Sequence, residues 1–371
     1  TYQKNPVFAP KNSKNLSERE QEELEKIHQA LSILQFKSEH QLLDRRPEFK
    51  MDDRKLLEKI DYEASTIDLE GQLYELKGTC FQTIQPDDPK KFLEEEQKVI
   101  DSLMYSFQHS LRMQKHMTFL IEKGGMYLTN NQHVLFHGCI PVDEKGQLLA
   151  FELDQSYRGK ELLGFFEKQI TESAKDLTAK EDLATDLIWY AWSGPFSPLF
   201  GKSKMATFER YFLTEPHTHI EKSNPYYHLR DEEWFSEKIL AEFDTKEEGS
   251  AIINGHTPVK VKKGESPIKA NGKVFVIDGG LSKDGAFSQR KPKKKQCHSR
   301  RKNRFFEGHK SNRFSHVRSK ILFAARQLFS GQYVRCGKNL PQGKGACRLP
   351  RNGRADRVFF GRGSALRNAC G

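Results

Sequence analysis

The chain has 371 residues, enough for two or three domains with ample core, and a formal net charge of +11. That charge is confined to one end: residues 284–371 carry 23 Lys/Arg against 3 Asp/Glu, a net of +20, and residues 1–283 hold 38 against 47, a net of −9. An ordinary acidic body with a basic tail excludes a uniformly basic nucleic-acid binder, and no apolar run is long enough to span a bilayer. With no signal peptide recognisable, the expected location is cytoplasmic. Cys80 and Cys139 lie in the body and Cys297, Cys336, Cys347 and Cys370 in the tail, with no Cys-x-x-Cys pair to suggest a zinc ribbon. A first residue of Thr rather than Met suggests a fragment.

In chain order, Ser17 and Glu20 form a capping box, and Leu24, Ile27, Leu31 and Leu34 follow at helical spacing, which predicts a long helix to about residue 43. Residues 54–60 read as helical, and 62–76 as a hairpin turning at Glu70-Gly71. A second long helical stretch over 92–121 carries Val99, Ile100, Leu103, Met104, Phe107 and Leu111 on one side. From Gly124 the pattern changes to strands at 126–128 and 133–136 around an Asn130-Asn131 turn. Helices follow near 160–175 and 180–191, then an aromatic, Gly/Pro-rich loop over 189–204, of a length that often lines a site. A helix near 231–244 leads to a strand at 250–254, a turn at His256, and a hairpin through Asn271-Gly272. The architecture expected is a mainly helical region over 1–123, an α/β region over 124–283, and a basic, disordered tail over 284–371.

Two histidines carry the chemistry. His137 in VLFHGCIP and His256 in IINGHTP each stand at the carboxyl end of an apolar strand beside a glycine, on a stiff support with nothing crowding the ring. A two-metal phosphoesterase requires such a support, because a ligand displaced by an ångström loses its geometry. Lys202, Lys204 and Arg210 follow the aromatic loop and offer point charges and a fork to a phosphate; the alternative is a solvated basic surface. Lys260, Lys262 and Lys263 stand beside His256 and offer the same. His217 and His219 alternate on an extended segment, which suits one metal or two exposed loop histidines. Asp278 reads as a cap on the glycine turn, and Cys139 as packing rather than a nucleophile.

The runs FHGCIPV (136–142), WSGPFSPLFGKSKMATFERYF (192–212), NPYYHLRD (224–231) and INGHTPVKVKKGESPIKANGKVFVIDGGLSK (253–283) resemble class III fructose-1,6-bisphosphatases of the calcineurin-like metallophosphoesterase superfamily. The resemblance covers residues 15–283. It implies an αββα metallophosphoesterase sandwich, here incomplete, and manganese-dependent removal of the 1-phosphate of fructose 1,6-bisphosphate in gluconeogenesis. It also implies that His137 and His256 are the fourth and fifth of five metal-ligand blocks, with Mn2+ bound as a dinuclear pair in the complete enzyme. The other three, Asp-x-His, Gly-Asp-x-x-Asp and Gly-Asn-His, do not occur in this sequence. In the family they lie upstream, so Thr1 is expected to mark a cut through a longer protein and the chain alone to be inactive.

No catalytic side chain other than the metal ligands is expected, and the substrate positions are Lys202, Lys204, Arg210 and Lys260. The expected partners are a small-molecule sugar bisphosphate and further copies of the chain, with neither membrane nor nucleic acid. After Lys283 the text turns abruptly to Arg, Ser, Gly and Cys, as reading in the wrong frame produces. The alternatives are a non-catalytic protein that binds nucleic acid through residues 284–371, where Lys293, Arg300 and Phe305 pair charge with stacking, and a remnant without function.

Overall fold

A computed structural model describes residues 2–11, 16–260 and 264–277. The expectations placed on Lys262, Lys263, Asp278 and the tail lie outside these residues. The described residues form two compact units, one drawn from residues 2–118, 149–158 and 168–224, the other from 119–148, 159–167 and 225–277.

In the first unit, α1 (Glu18–Arg45) starts at the capping box read from the sequence: Ser17 Oγ accepts the Glu20 N–H at 3.3 Å and Glu20 Oε2 accepts the Ser17 N–H at 2.8 Å. Pro47 follows its end and begins a 3-10 turn. The buried stripe keeps Leu34 but is otherwise rotated from the expected one. Ile27 is exposed, and Glu25, Gln29 and Lys37 are buried beside Ile33, Phe36 and Leu43. They tolerate burial because each has a partner: Glu25 accepts the Asn5 N–H, Gln29 donates to the Gln3 carbonyl, and Lys37 donates to Thr83 and Glu96.

The expected helix at 54–60 is two 3-10 turns, Asp52–Arg54 and Leu56–Lys59. They lead into a three-stranded antiparallel meander of β1 (Ile60–Asp61), β2 (Thr66–Leu69) and β3 (Gln72–Glu75). Its second turn is at Glu70-Gly71, both with positive φ, as a two-residue hairpin demands. The core gathers Phe8, Ile33, Phe36, Ile67, Phe208 and Phe212, with Phe81 packed against it. Several of these rings meet edge to face, Phe208 and Phe212 at 4.9 Å.

The stretch read as one helix over 92–121 is two, α2 (Glu94–Gln108) and α3 (Leu111–Lys123). His109 leaves helical geometry and Ser110 Oγ accepts the Met113 N–H, the local signature of a helix start. Val99, Leu103, Phe107 and Leu111 are exposed. Completing this unit are a two-stranded ribbon, β6 (Phe151–Glu152) with β7 (Ser156–Tyr157), and helices α5 (Leu183–Ser193) and α6 (Thr207–Phe212). Asp182 caps α5 by accepting the Thr185 N–H at 3.0 Å. The first residues of the supposed aromatic loop are therefore the last turn of α5.

The second unit is built on a five-stranded mixed sheet. Its strands are β4 (Tyr127–Asn130), β5 (His133–Phe136), β8 (Ile252–Asn254), β9 (Ile268–Lys269) and β10 (Val274–Val276), in the order β4-β5-β8-β10-β9. β4 and β5 form a hairpin through Asn131 and Gln132, one residue later than expected, both with positive φ. β5, β8 and β10 run parallel, with Val134 and Val274 both opposite Ile252. All three β8 residues are buried, as expected of a central parallel strand. Helix α7 (Tyr226–Leu229) and the residue that ends α8 (Glu233–Glu242) supply aromatic rings to the sheet: Phe136 meets Tyr226 at 5.8 Å and Phe243 at 6.3 Å. The remaining helix, α4 (Gly159–Ser173), buries Leu162, Leu163 and Phe166 and is tied to α8 where Lys160 N–H donates to Glu242 at 2.9 Å. The structure is thus mixed α/β, and among the described residues no helix is long and apolar enough to cross a membrane.

Candidate functional site

β5 and β8 are neighbours that run in the same direction, so the residues after them emerge at the same sheet edge. His137 is the residue after β5, and His256 follows β8 after Gly255. The Gly255 N–H donates to the His137 carbonyl at 2.9 Å and locks the two segments together. His256 sits at φ 68, a left-handed conformation that costs a non-glycine residue about 1 kcal/mol and is characteristic of functional sites.

As a result His137 Nε2 stands 3.1 Å from His256 Nδ1, with the rings at 81°. Two nitrogens each ~2.1 Å from a shared ion, at tetrahedral to octahedral angles, lie roughly 3.0–3.4 Å apart. The separation therefore suits two ligands of one ion as well as it suits a direct hydrogen bond between the rings. A dinuclear pair needs bridging oxygen as well.

Further polar groups surround the pair. Asn254, wholly buried at the end of β8, donates from Nδ2 to the Gly138 carbonyl at 3.2 Å and to Tyr226 Oη at 2.9 Å. The Tyr227 ring lies 27° from the His256 plane with centroids 6.3 Å apart. Arg230 lies with its guanidinium carbon 5.2 Å from the centre of the Tyr227 ring. It is only 5% exposed, and its Nε and Nη1 have no hydrogen-bond partner among the described residues. Burial pushes the Cys139 thiol up to about 12, only partly countered by the Tyr227 hydroxyl and Arg230, so Cys139 is a packed thiol and not a nucleophile.

The candidate phosphate ligands of the first unit are held by carboxylates. Lys202 Nζ and Arg210 Nη1 contact the two oxygens of Glu221 at 2.5 and 2.7 Å. Burial raises the Glu221 carboxyl, but the bonds from Lys202 and Arg210 outweigh it and hold the group below the usual range. Lys204 lies 3.3 Å from Glu209 Oε1, the oxygen that Arg54 also binds at 2.6 Å. In the second unit Lys260 is exposed and tied to Glu265 through its backbone: its N–H donates to the Glu265 carboxylate at 2.8 Å and its carbonyl accepts the Glu265 N–H at 3.4 Å. His217 and His219 part company: His217 Nε2 bonds Tyr74 Oη at 2.9 Å and His219 Nε2 the Leu213 carbonyl at 3.0 Å. They do not form a common metal site.

The first unit also brings His40, Asp44 and Glu58 together, with ligand atoms all within 4.8 Å of one another. Lys55 at 3.0 Å and Lys90 also bind Asp44. Two ammonium groups on the one carboxylate make this a charge-balanced ion-pair network, a poor host for a divalent cation. Neither this cluster nor Arg230 carries a spacing signal in the sequence. The one local hint is that Tyr226, Tyr227 and Arg230 fall three and four residues apart, on one side of a helical turn.

Residues 1–289 match the family model described as firmicute fructose-1,6-bisphosphatase. Three relatives, each named fructose-1,6-bisphosphatase class 3, illustrate the similarity. The chain is 50% identical over 285 residues to that of Oceanobacillus iheyensis, covering 76% of this chain and 44% of the relative. It is 51% identical over 287 residues to that of Streptococcus sanguinis, covering 76% and 45%. To that of Staphylococcus aureus strain MRSA252 it is 49% identical over 284 residues, covering 75% and 43%. The chain thus spans less than half the length of the curated relatives it matches. No solved structure matches it.

Proposed function

The chain belongs to the firmicute fructose-1,6-bisphosphatase family, and on that premise we propose that it serves the metal-dependent hydrolysis of fructose 1,6-bisphosphate to fructose 6-phosphate and phosphate. The observation that carries this reading is the 3.1 Å approach of His137 Nε2 to His256 Nδ1 at the carboxyl ends of two adjacent parallel strands. In this reading the mixed sheet of the second unit is part of an αββα metallophosphoesterase sandwich, and the ion held there is manganese.

A metal bound at such a site supplies Lewis acidity and a hydroxide at neutral pH. This chain's residues supply position. His137 and His256 would hold the ion through their imidazoles, and the Gly255–His137 backbone bond keeps the two segments in register. The donor set fits one ion; a second one calls for carboxylate and amide ligands of the Asp-x-His, Gly-Asp-x-x-Asp and Gly-Asn-His kind. Of the phosphate-binding candidates, Lys260 is exposed four residues beyond His256, whereas Lys202, Lys204 and Arg210 reach a phosphate only by leaving Glu221 and Glu209. We assign the substrate contact to Lys260 first.

The test is phosphate release from fructose 1,6-bisphosphate in Mn2+, by the chain alone and with a polypeptide carrying the three further ligand blocks. Little release is expected from the chain alone, with restoration by the added polypeptide and its loss on His256→Ala. Release that survives both His137→Ala and His256→Ala would sink the assignment.

A further inference from the structure

We propose that Arg230 is the binding residue for a phosphate-type oxyanion in the second unit. A guanidinium stays charged at any physiological pH, so it cannot escape burial by losing its proton. A charge taken out of water needs a counter-charge and acceptors for its N–H groups, or it destabilises the fold. Arg230 is 95% buried by exposed area, and Nε and Nη1 find no acceptor among the described residues.

Three acidic side chains around this helical turn are committed elsewhere. Asp231 bonds Lys269 at 2.7 Å, Glu233 bonds Asn271 at 2.7 Å and faces Lys273, and Glu144 faces His228 at 3.4 Å. The Tyr227 ring takes no hydrogen bond from the guanidinium 5.2 Å away, and Nε and Nη1 are left for a planar or tetrahedral oxyanion.

The surroundings place this charge beside the candidate metal ligands. Arg230 acts electrostatically on Cys139, two residues after His137, and on Tyr226, whose hydroxyl is bonded by Asn254, two residues before His256. Tyr227, beside the guanidinium, also has a ring contact with His256. A phosphoryl group drawn to the two imidazoles and their ion would find its counter-charge in Arg230. The inference rests on the phosphatase reading only for the identity of the anion.

The experiment is thermal unfolding and calorimetric titration of the full chain with inorganic phosphate, in a metal chelator and at matched ionic strength. The chain as it stands, Arg230→Met and Arg230→Lys are compared. Phosphate is expected to raise the Tm of the unsubstituted chain. Arg230→Met should raise the phosphate-free Tm, because an isolated buried charge is gone, and should abolish the response to phosphate. Arg230→Lys keeps charge without the fork and should weaken phosphate binding about 10-fold.

An unsubstituted chain indifferent to phosphate overturns the proposal. So does an Arg230→Met chain that responds to phosphate like its parent, or one whose phosphate-free Tm falls. If Arg230→Met does not fold, the phosphate affinity of Arg230→Lys decides: an unchanged value overturns the assignment. Arg230-dependent phosphate binding without any bisphosphate hydrolysis would keep the anion site and discard the hydrolase reading. Hydrolysis with phosphate binding indifferent to residue 230 would do the reverse.

Discussion

The carbonyl of His137 accepts the backbone N–H of Gly255 at 2.9 Å, so the two segments that carry the paired imidazoles are joined by a bond that involves neither ring. Their geometry therefore survives the loss of either ring. Alanine at 137 or 256 is expected to leave the fold intact and to weaken Mn2+ binding at least about 10-fold. Electron paramagnetic resonance of free Mn2+ during titration measures this directly. Affinity unchanged in either variant would remove that ring from the site.

Arg54 and Glu209 form a second close relationship, a buried pair at 2.6 Å in the core of the first unit. Arg54→Met alone leaves a buried carboxylate without its main partner and should cost about 3–5 kcal/mol. The double change Arg54→Met with Glu209→Leu should cost no more than ~1 kcal/mol, because two matched apolar groups need no counter-charge. Urea unfolding of the three variants completes the cycle, and equal losses in single and double variants would refute it.

Glu39 lines a pocket with Arg54, Trp192 and Ser193, and burial pushes its carboxyl up to about 7, with Arg54 pulling the other way. A carboxyl raised from 4.5 to about 7 holds a proton in the folded chain that the unfolded chain has lost. Stability therefore falls as pH rises through that window, and the full penalty is present above it. Glu39→Gln should raise Tm at about pH 8 by ~3 °C and leave it unchanged near pH 4. A gain that is the same at both pH values would show that ionisation is not the cause.

Gly194 ends α5 against the ring of Tyr190, itself wholly buried. A Cβ at residue 194 would stand 2.4 Å from the Tyr190 ring. Gly194→Ala should cost about 2 kcal/mol by overpacking, and Tyr190→Leu in the same chain should recover part of that loss. Chemical denaturation measures both, and additive losses would exclude the clash.

Features set by neighbours in the chain were legible in the sequence. The capping box at Ser17, the turn at Glu70-Gly71 and the apolar strands before His137 and His256 are all local signals. What joins those two histidines is not local: they are 119 residues apart, and only the pairing of β5 with β8 brings them together. The same applies to charge. The Lys202 and Arg210 side chains read as available to a phosphate because their shared partner, Glu221, is recognisable only once the chain has folded back. Burial of a lone arginine leaves no periodic trace, which is why Arg230 stayed hidden in a run that otherwise marked the family.

β8 lies between β5 and β10, one made long before it and the other some twenty residues after it. During synthesis the chain leaves the ribosome in that order. β8 can dock on β5 as soon as it emerges, yet until residue 276 follows its other side is an open row of backbone donors and acceptors on an apolar strand. The nascent protein thus carries the strand of its second histidine as a temporary sheet edge, and that interval is when a chaperone, or a neighbouring nascent chain, has access to it.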